Sequence, residues 1–204
     1  MAVLVHKEQL LWGIELANSG IFSVNDINDL INNQQYPKIG ELQHIQTQTF
    51  SEVYNLNFME IQEEYYDVHF MTFNRVNGYS AINSGIQFYE DGVLETANVY
   101  QDASQYGTTS GSFGETKSTA RNRIYLHNYG NQQPTGGYAY FYNLGDSTKY
   151  SFCTWHSIQA FTSSATMYFG SGVMKQASKV NGIKIYIDSI SMSGSISLYG
   201  IRYS

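Results

Sequence analysis

The run VNGIKIYID at residues 180–188, followed by SGSISLYGI at 193–201, decides the fold class. In the first segment Ile183, Ile185 and Ile187 alternate with polar or aromatic residues. Successive side chains of a β-strand point to opposite faces, so this period of two is typical of a strand with one buried face. The end of the chain is therefore predicted to be β-structure.

The second segment repeats the pattern, and we expect it to pair with the first as a core hairpin. Ile196, Leu198 and Gly200 share one face and can oppose the isoleucines across a link of small residues at 191–194. Tyr199 falls on the other face, where a phenol can be half-buried with its hydroxyl in water. Gly200 is predicted to mark a bulge or a close approach of another backbone segment.

The same period of two runs from about Leu42 to the end of the chain. The predicted strands are HIQTQTF (44–50), YNLNFMEI (54–61), YYDVHFMTF (65–73), INSGIQFYE (82–90), VLETANVYQ (93–101), RNRIYLHNY (121–129), YAYFYN (138–143), YSFCTWHSIQAF (150–161), ATMYFGSGVM (165–174) and the two closing segments. Asn77-Gly78 and Asp91-Gly92 are turn signals, and the second predicts a hairpin. About ten strands with no helix between them predict an all-β antiparallel sandwich of the jelly-roll kind.

The first 40 residues have a helical period and are predicted to be an attachment segment preceding a β-sandwich domain at 41–204. Ser23 and Asp26 have the spacing of a capping box, and Tyr36-Pro37 would end the helix. Helices this short have little stability alone in water, so we expect them to dock on another surface. The apolar residues expected to make this contact are Leu10, Leu11, Ile14, Ile27, Leu30 and Ile31.

The longest break in the strand pattern is residues 102–120, which are rich in Gly, Ser and Thr. Loops of this length in compact domains are either functional or disordered. We therefore weigh a mobile surface excursion against a contact loop in which Tyr106 and Phe113 meet a neighbouring subunit or a glycan.

Composition excludes several classes of partner and stabilising device. Charged residues make up 14% of the 204-residue chain and the formal net charge is −6, so nucleic acid is not an expected partner. The one cysteine, Cys153, rules out an internal disulfide and a cysteine zinc site. No apolar run is long enough to span a bilayer, and the start of the chain lacks a secretory signal. We expect assembly in a cytosol, without a cofactor or membrane insertion.

The carboxylates do not form a predicted acid–base pair. Glu63-Glu64 and Glu90-Asp91 are the densest acidic pairs. Adjacent residues in a strand point to opposite faces, and acidic residues beside a turn are usually solvated. We therefore do not expect an enzyme.

The cysteine and the histidines are not predicted to form a reactive pair or a metal site. Cys153 and His156 are three residues apart, which places them on opposite faces of a strand, and Cys153 is expected to be a small buried hydrophobe. His69, His127 and His156 lie in different strands without the spacing of metal ligands, so no metal site is expected.

Tyrosine-rich strands are the best candidates for contact with another molecule. Tyr138, Tyr140 and Tyr142 alternate along one strand and share a face, and Tyr65-Tyr66 form a second pair. Tyrosine is favoured in strands on packing grounds alone. Outward aromatic residues are also enriched where proteins meet, so we favour subunit contact over glycan contact for this face.

The closing segments resemble the ending of a recurrent family of tailed-bacteriophage virion proteins, whose chains finish with two strands and a Leu-Tyr-Gly-Ile signature, here residues 198–201. Residues 45–70 look like that family's first three strands. Residues 121–130 and 148–157 resemble its middle strands. The likeness covers roughly 43–203. It does not include the attachment segment at residues 1–40, which we call the leader.

The resemblance implies a β-sandwich virion component of a head fibre, decoration or tail fibre, commonly assembled as a homotrimer. It also implies contacts with other virion proteins of capsid or tail, and localisation in the virion after assembly in the host cytoplasm. A carbohydrate-binding module that recognises a host surface glycan is the alternative, and the two functions can coexist because fold does not determine function.

Overall fold

The computed structural model describes residues 23–33, 41–78, 82–129, 135–160, 164–187 and 191–202. The chain separates into two compact units, Met1–Ile39 and Gly40–Ser204. No helix among the described residues is long and apolar enough to cross a bilayer.

In the first unit, the helix α1 spans Val24–Asn32. Its start has the predicted capping box, because the Asp26 amide donates to Ser23 Oγ at 3.2 Å and the Ser23 amide donates to Asp26 Oδ2 at 2.7 Å. Leu30 is buried. Leu10, Leu11 and Ile14 lie outside the described residues, as does the side chain of Ile31.

The second unit consists of strands, and its all-β character is as predicted. The strands are β1 (Leu42–Val53), β2 (Asn55–Met59), β3 (Val68–Gly78), β4 (Ile82–Glu90), β5 (Val93–Leu94), β6 (Tyr100–Thr108), β7 (Phe113–Arg121), β8 (Ile124–Tyr129), β9 (Thr135–Tyr142), β10 (Tyr150–Ala160), β11 (Ala165–Ala177), β12 (Val180–Ile187) and β13 (Met192–Ile201). The described part of the chain thus has thirteen strands, compared with about ten predicted.

Two antiparallel sheets have the connectivity of a jelly roll. The large sheet has the order β1-β13-β3-β9-β10-β11-β6-β7, and the small sheet has the order β2-β12-β4, with β8 and β5 sharing the outer edge of β4. Eight strands, β1, β2, β3, β4, β8, β9, β12 and β13, form two four-stranded sheets between which the chain passes repeatedly. The other strands are two insertions, β5–β7 after β4 and β10–β11 after β9. Because β11 pairs with β6, both insertions extend the same edge of the large sheet.

The predicted C-terminal hairpin is wrong, although its buried residues are right. β12 pairs with β2 and β4 in the small sheet, whereas β13 pairs with β1 and β3 in the large sheet. Ile183 and Ile185 therefore meet Ile196 and Leu198 across the core instead of lying beside them. Alternation determines which face of a strand is buried, but it does not identify the strand that pairs with it. The side chain of Ile187 lies outside the described residues.

The predicted loop at 102–120 is also wrong, because β6 and β7 form a hairpin with its turn at 109–112. Small polar residues of the two strands lie opposite each other in this hairpin, as Ser104 does with Thr116. Asp91-Gly92 does form the predicted turn, with φ values of 47° and 83°, but β4 and β5 pair through two residues each before the chain leaves for the large sheet. Asn77 and Gly78 end β3 and pair with β13, so they mark a strand end.

The core lies between the sheets. Phe88 of the small sheet and Phe141 of the large sheet are fully buried, with ring centroids 6.1 Å apart in an edge-on arrangement. On the outer edge of β4, Phe88 lies between the residues that pair with β5 and those that pair with β8. Its amide donates a hydrogen bond to the Tyr100 hydroxyl of β6 at 3.0 Å. Burial raises the pKa of this phenol far above its usual value, so it acts as a hydrogen-bonding core residue.

Gly200 is a point of close approach, but the approaching group is the Tyr66 side chain and not the backbone segment predicted from sequence. A Cβ at this position would lie 2.2–2.4 Å from ring carbons of Tyr66, whose side chain covers the strand. The phenol of Tyr66 also donates to Gln43 Oε1 at 3.3 Å and its ring packs edge-on against His69. The missing side chain at 200 is therefore what allows residues 60–67 to cover this part of β13.

We expect Gly200→Ala to lower the free energy of unfolding by about 1–3 kcal/mol, because the added methyl overlaps ring atoms near the Tyr66 backbone. Urea denaturation measures the change. Gly136→Ala is the matched control, since its Cβ would meet only the Phe73 carbonyl oxygen at 4.0 Å. In a double-mutant cycle, Tyr66→Ala should recover part of the loss at Gly200; strictly additive effects would contradict the contact.

Candidate binding surface

The outward face of the large sheet is unusually apolar. In β10 the side chains of Phe152, Thr154, His156 and Ile158 point outward, while Cys153 and others on the opposite parity are buried. A strand with bulky side chains on both faces needs a partner for its outer face or exposes apolar surface to water. This face is the candidate functional surface.

Rings on this face touch one another across six neighbouring strands. We call this set the aromatic ribbon; its members, in order across the sheet, are His44, Tyr199, Phe70, Tyr140, Tyr138, His156 and Phe169. The shortest centroid separation is 4.6 Å, between Phe70 and Tyr140, and His156 meets Phe169 edge-on at 5.8 Å. Aromatic pairs contribute about 0.5–1.5 kcal/mol each beyond area burial, so the ribbon is pre-organised.

Charged side chains are absent from the two cross-strand rows that contain the ribbon. In register, one row is His44, Tyr199, Phe70, Tyr140, Thr154, Ser171 and Ala103, and the other is Thr47, Ser197, Thr72, Tyr138, His156, Phe169 and Gln105. The next residues outward are Lys117 and Glu115 on the edge strand β7, whose side chains pair at 2.7 Å. The chain carries 28 Lys, Arg, Asp and Glu residues in all, and none of them lies in these two rows.

A groove runs along the inserted half of this face. Three contiguous depressions share lining residues, from Ile158 and Met167 at one end, past Phe169, to Phe152 and Val173 at the other. The two larger ones have volumes of about 550 and 880 Å³. The six residues from 152 to 158 span about 20 Å of strand, which sets the length of the groove.

The tyrosines predicted as contact residues divide between the two faces. Tyr138, Tyr140 and Tyr142 lie on the outward side, since Ala139 and Phe141 between them are buried. Tyr106 instead packs against the core, with its ring 5.7 Å from that of Tyr168.

Phe113 lies at the tip of the β6–β7 hairpin and is 84% exposed. Its ring lies over Gly107, which pairs with Met167 of the outward face. Tyr106 and Phe113 therefore do not form one contact, because β6 and β7 direct them to opposite sides of the sheet.

Sequence reasoning missed Phe70, Phe152, Ile158, Met167 and Phe169. Phe169 and Ile158 are 47% and 50% exposed. A signal for them was present in YSFCTWHSIQAF, where large apolar residues occupy both parities of one strand.

The acidic pairs are held by neighbours. Lys179 Nζ lies 3.2 Å from Glu63 and 2.5 Å from Glu64, and its hydrogen bond lowers the pKa of the Glu64 carboxyl. Glu90 accepts hydrogen bonds from the Gln176 amide at 2.9 and 3.0 Å, and Asp91 lies in the β4–β5 turn. These contacts are structural, and neither pair faces the groove.

Cys153 and His156 lie on opposite faces of β10, in agreement with the sequence argument. The thiol is fully buried, and burial raises its pKa to about 12. A protonated, inaccessible thiol is a poor nucleophile.

The histidines do not converge. His69 is buried in the core with Nε2 2.8 Å from the Ile61 carbonyl oxygen, whereas His156 is on the outer face and pairs with the Tyr138 hydroxyl at 3.2 Å. The side chain of His127 lies outside the described residues. Among the residues that the structure describes, no three His, Cys, Asp or Glu side chains are grouped to hold a metal ion.

No protein-family model matches the chain, and no curated protein is significantly similar to it in sequence.

His69 should make stability depend on pH. Burial lowers the pKa of its imidazole, so the folded state holds the neutral form while the unfolded chain binds a proton below about 6.5. The contribution of the neutral His69 imidazole to the free energy of unfolding is complete above about pH 6.5. As the pH falls below this value the free energy of unfolding decreases, by at most about 1.4 kcal/mol per pH unit. Urea midpoints from pH 8 to 5 measure this. In His69→Gln the same interval should show a smaller fall, and an unchanged fall would contradict the assignment.

Proposed function

We propose that the chain is a non-enzymatic structural protein of a bacteriophage virion, of the head-fibre, decoration or tail-fibre type. The observation that carries this proposal is the aromatic ribbon, whose two cross-strand rows contain no Lys, Arg, Asp or Glu. Protein interfaces are depleted of charge at their centres and enriched in aromatic residues. The ribbon therefore supports a function exercised by assembly.

The sequence resemblance supports the same proposal. Its described segments include strands of the sandwich in chain order: 45–70 covers β1 to β3 in large part, 124–129 is β8, 150–157 lies in β10, and the closing segments contain β12 and lie in β13. Leu198 is buried, Tyr199 joins the ribbon and Gly200 admits Tyr66, so the first three residues of the shared ending have separate physical roles.

In this proposal the half of the ribbon on β1, β13, β3 and β9 contacts further copies of the chain in a homotrimer. Phe70, Tyr140 and Tyr199 are half-buried and hold one another in place, so ordering them at an interface costs little side-chain entropy. The edge of this half is β1, a twelve-residue strand that pairs only with β13 among the described strands.

The leader attaches the assembled sandwich to capsid or tail proteins. α1 carries Ile27 and Leu30 on one side of a short helix that is capped at its start, with Leu30 buried and Ile27 partly exposed. A nine-residue helix is marginal alone in water and gains stability when its apolar side is covered.

A charge placed on the ribbon should separate the subunits. Tyr140→Lys is expected to convert a trimer into a monomer, because an ammonium at the centre of an apolar interface loses hydration without a partner. Sedimentation equilibrium at fixed concentration measures the mass. Tyr54→Lys, at a residue 58% exposed and outside the ribbon, is the control and should remain trimeric. A monomeric wild-type chain, or a trimeric Tyr140→Lys variant, would contradict the proposed contact.

Removal of the leader should abolish incorporation into particles without unfolding the sandwich. We expect residues 41–204 to keep a strand-dominated far-ultraviolet spectrum, since the core lies within the Gly40–Ser204 unit. Purified particles from a complementation assay are probed for the full chain, for 41–204 and for Leu30→Asp. Equal incorporation of all three would show that attachment does not depend on the leader.

A further inference from the structure

We propose that the groove over β10, β11, β6 and β7 binds a neutral glycan. This goes beyond assembly, because it gives the particle a recognition function on a surface that shares only β9 with the proposed subunit contact. The groove is built by the two chain insertions, which are joined by the β11–β6 pairing. Its only lining residues from the eight-stranded jelly roll are those of β9, at one end.

Aromatic side chains line the groove and can stack on the apolar C–H faces of sugar rings. Phe169 lies near one end and Phe152 near the other, both substantially exposed, and Tyr138 and His156 lie beside Phe169. An exposed ring gives a flat apolar surface whose burial is favourable, and a pyranose presents a matching apolar side. Separate rings along a groove suit an extended oligosaccharide better than a single small ligand.

The side chains at the base of the groove are small and polar enough to accommodate the hydroxyl groups of a sugar. Ala103, Thr154 and Ser171 form one cross-strand row between the rings, so no large side chain fills the space there. Thr154 and Ser171 each carry a hydroxyl that can donate and accept, which is what a polyol requires. Gln105 and Gln101 add planar amides at the side formed by β6.

The charges on the rim favour a neutral glycan over an acidic one. Lys117 and Glu115 line the groove on β7, but they pair with each other at 2.7 Å, so each cancels the other's field. The Glu115 pKa is lowered and the Lys117 pKa is raised by this hydrogen bond, which keeps both ionised. A sialylated or phosphorylated ligand would find no unpaired cation among the described lining residues.

Position on the sheet favours a glycan over a further copy of the chain. The proposed trimer contact uses the half of the ribbon towards the β1 edge of the large sheet, whereas the groove lies over the strands at its β7 edge. That half shares only β9 with the groove, and Phe169, Phe152 and Ala103 lie on β11, β10 and β6, outside it. The two activities are therefore separable by substitution.

The test is binding of the full-length chain to an array of neutral oligosaccharides built from hexoses and N-acetylhexosamines, followed by calorimetry on any ligand found. We expect wild-type binding and at least a tenfold loss of affinity in Phe169→Ala and in Ala103→Trp. The first removes a wall and the second fills the floor at an exposed position. Tyr65→Ala, at an exposed tyrosine outside the groove, is the matched control and should bind like wild type.

Three results would overturn the glycan proposal: no binding to any neutral oligosaccharide at millimolar concentration, wild-type affinity in Ala103→Trp, or an equal loss in Tyr65→Ala. Dichroism and thermal midpoints confirm that the variants are folded, and Phe152→Ala provides a second wall variant if Phe169→Ala is not. The oligomer mass, measured by sedimentation, distinguishes failure of the glycan proposal from failure of the assembly proposal. Groove variants should keep the wild-type mass, and a loss of oligomer in Ala103→Trp would identify the groove as a subunit contact instead.

Discussion

The fold depends on one constraint: in each strand alternate side chains must be buried against the opposite sheet while backbone groups pair within their own sheet. Phe58, Ile86, Ile183 and Ile185 of the small sheet meet Met71, Phe141, Ile196 and Leu198 of the large one, all at or near zero exposure. Each such side chain contributes about 1.5–3 kcal/mol when fully buried. Where the edge of β4 lies between β5 and β8, the Tyr100 hydroxyl bonds the Phe88 amide, so a donor there is satisfied from the facing sheet.

The two insertions alter this plan on one side only. They widen the large sheet to eight strands, and β8 covers their inner face by contacting β6, β10 and β11. The fit is close, because a Cβ at Gly172 would lie 2.5 Å from Ile124. The same inner face holds Asp102, whose pKa is raised by burial and whose Oδ1 lies 3.1 Å from Arg121 Nε. The inserted strands thus have buried polar residues among core residues on their inner face and exposed apolar residues on their outer face.

The distribution of charge links this architecture to the proposed roles. Carboxylates of the described chain lie mainly in turns and edges, several paired with lysines, as Glu63 and Glu64 are with Lys179 and Asp146 is with Lys149. The outward rows of the large sheet are left neutral and aromatic. A neutral half-buried ribbon suits a permanent protein contact, whereas a groove with exposed rings and hydroxyls suits a hydrated ligand. One sheet therefore presents two kinds of surface.

The sequence by itself determined the fold class, the buried parity of most strands, the Asp91-Gly92 turn, the capping box of α1 and the close approach at Gly200. These are local properties, because alternation, turn conformation and capping are set by residues a few positions apart. Only the tertiary structure decided that β12 and β13 lie in opposite sheets, that residues 102–120 form a hairpin, and that Phe169, Phe152 and Tyr138 line one groove. Those features depend on which strand edges pair, and a strand's own side chains do not encode that choice, since the pairing groups are backbone amides common to every residue.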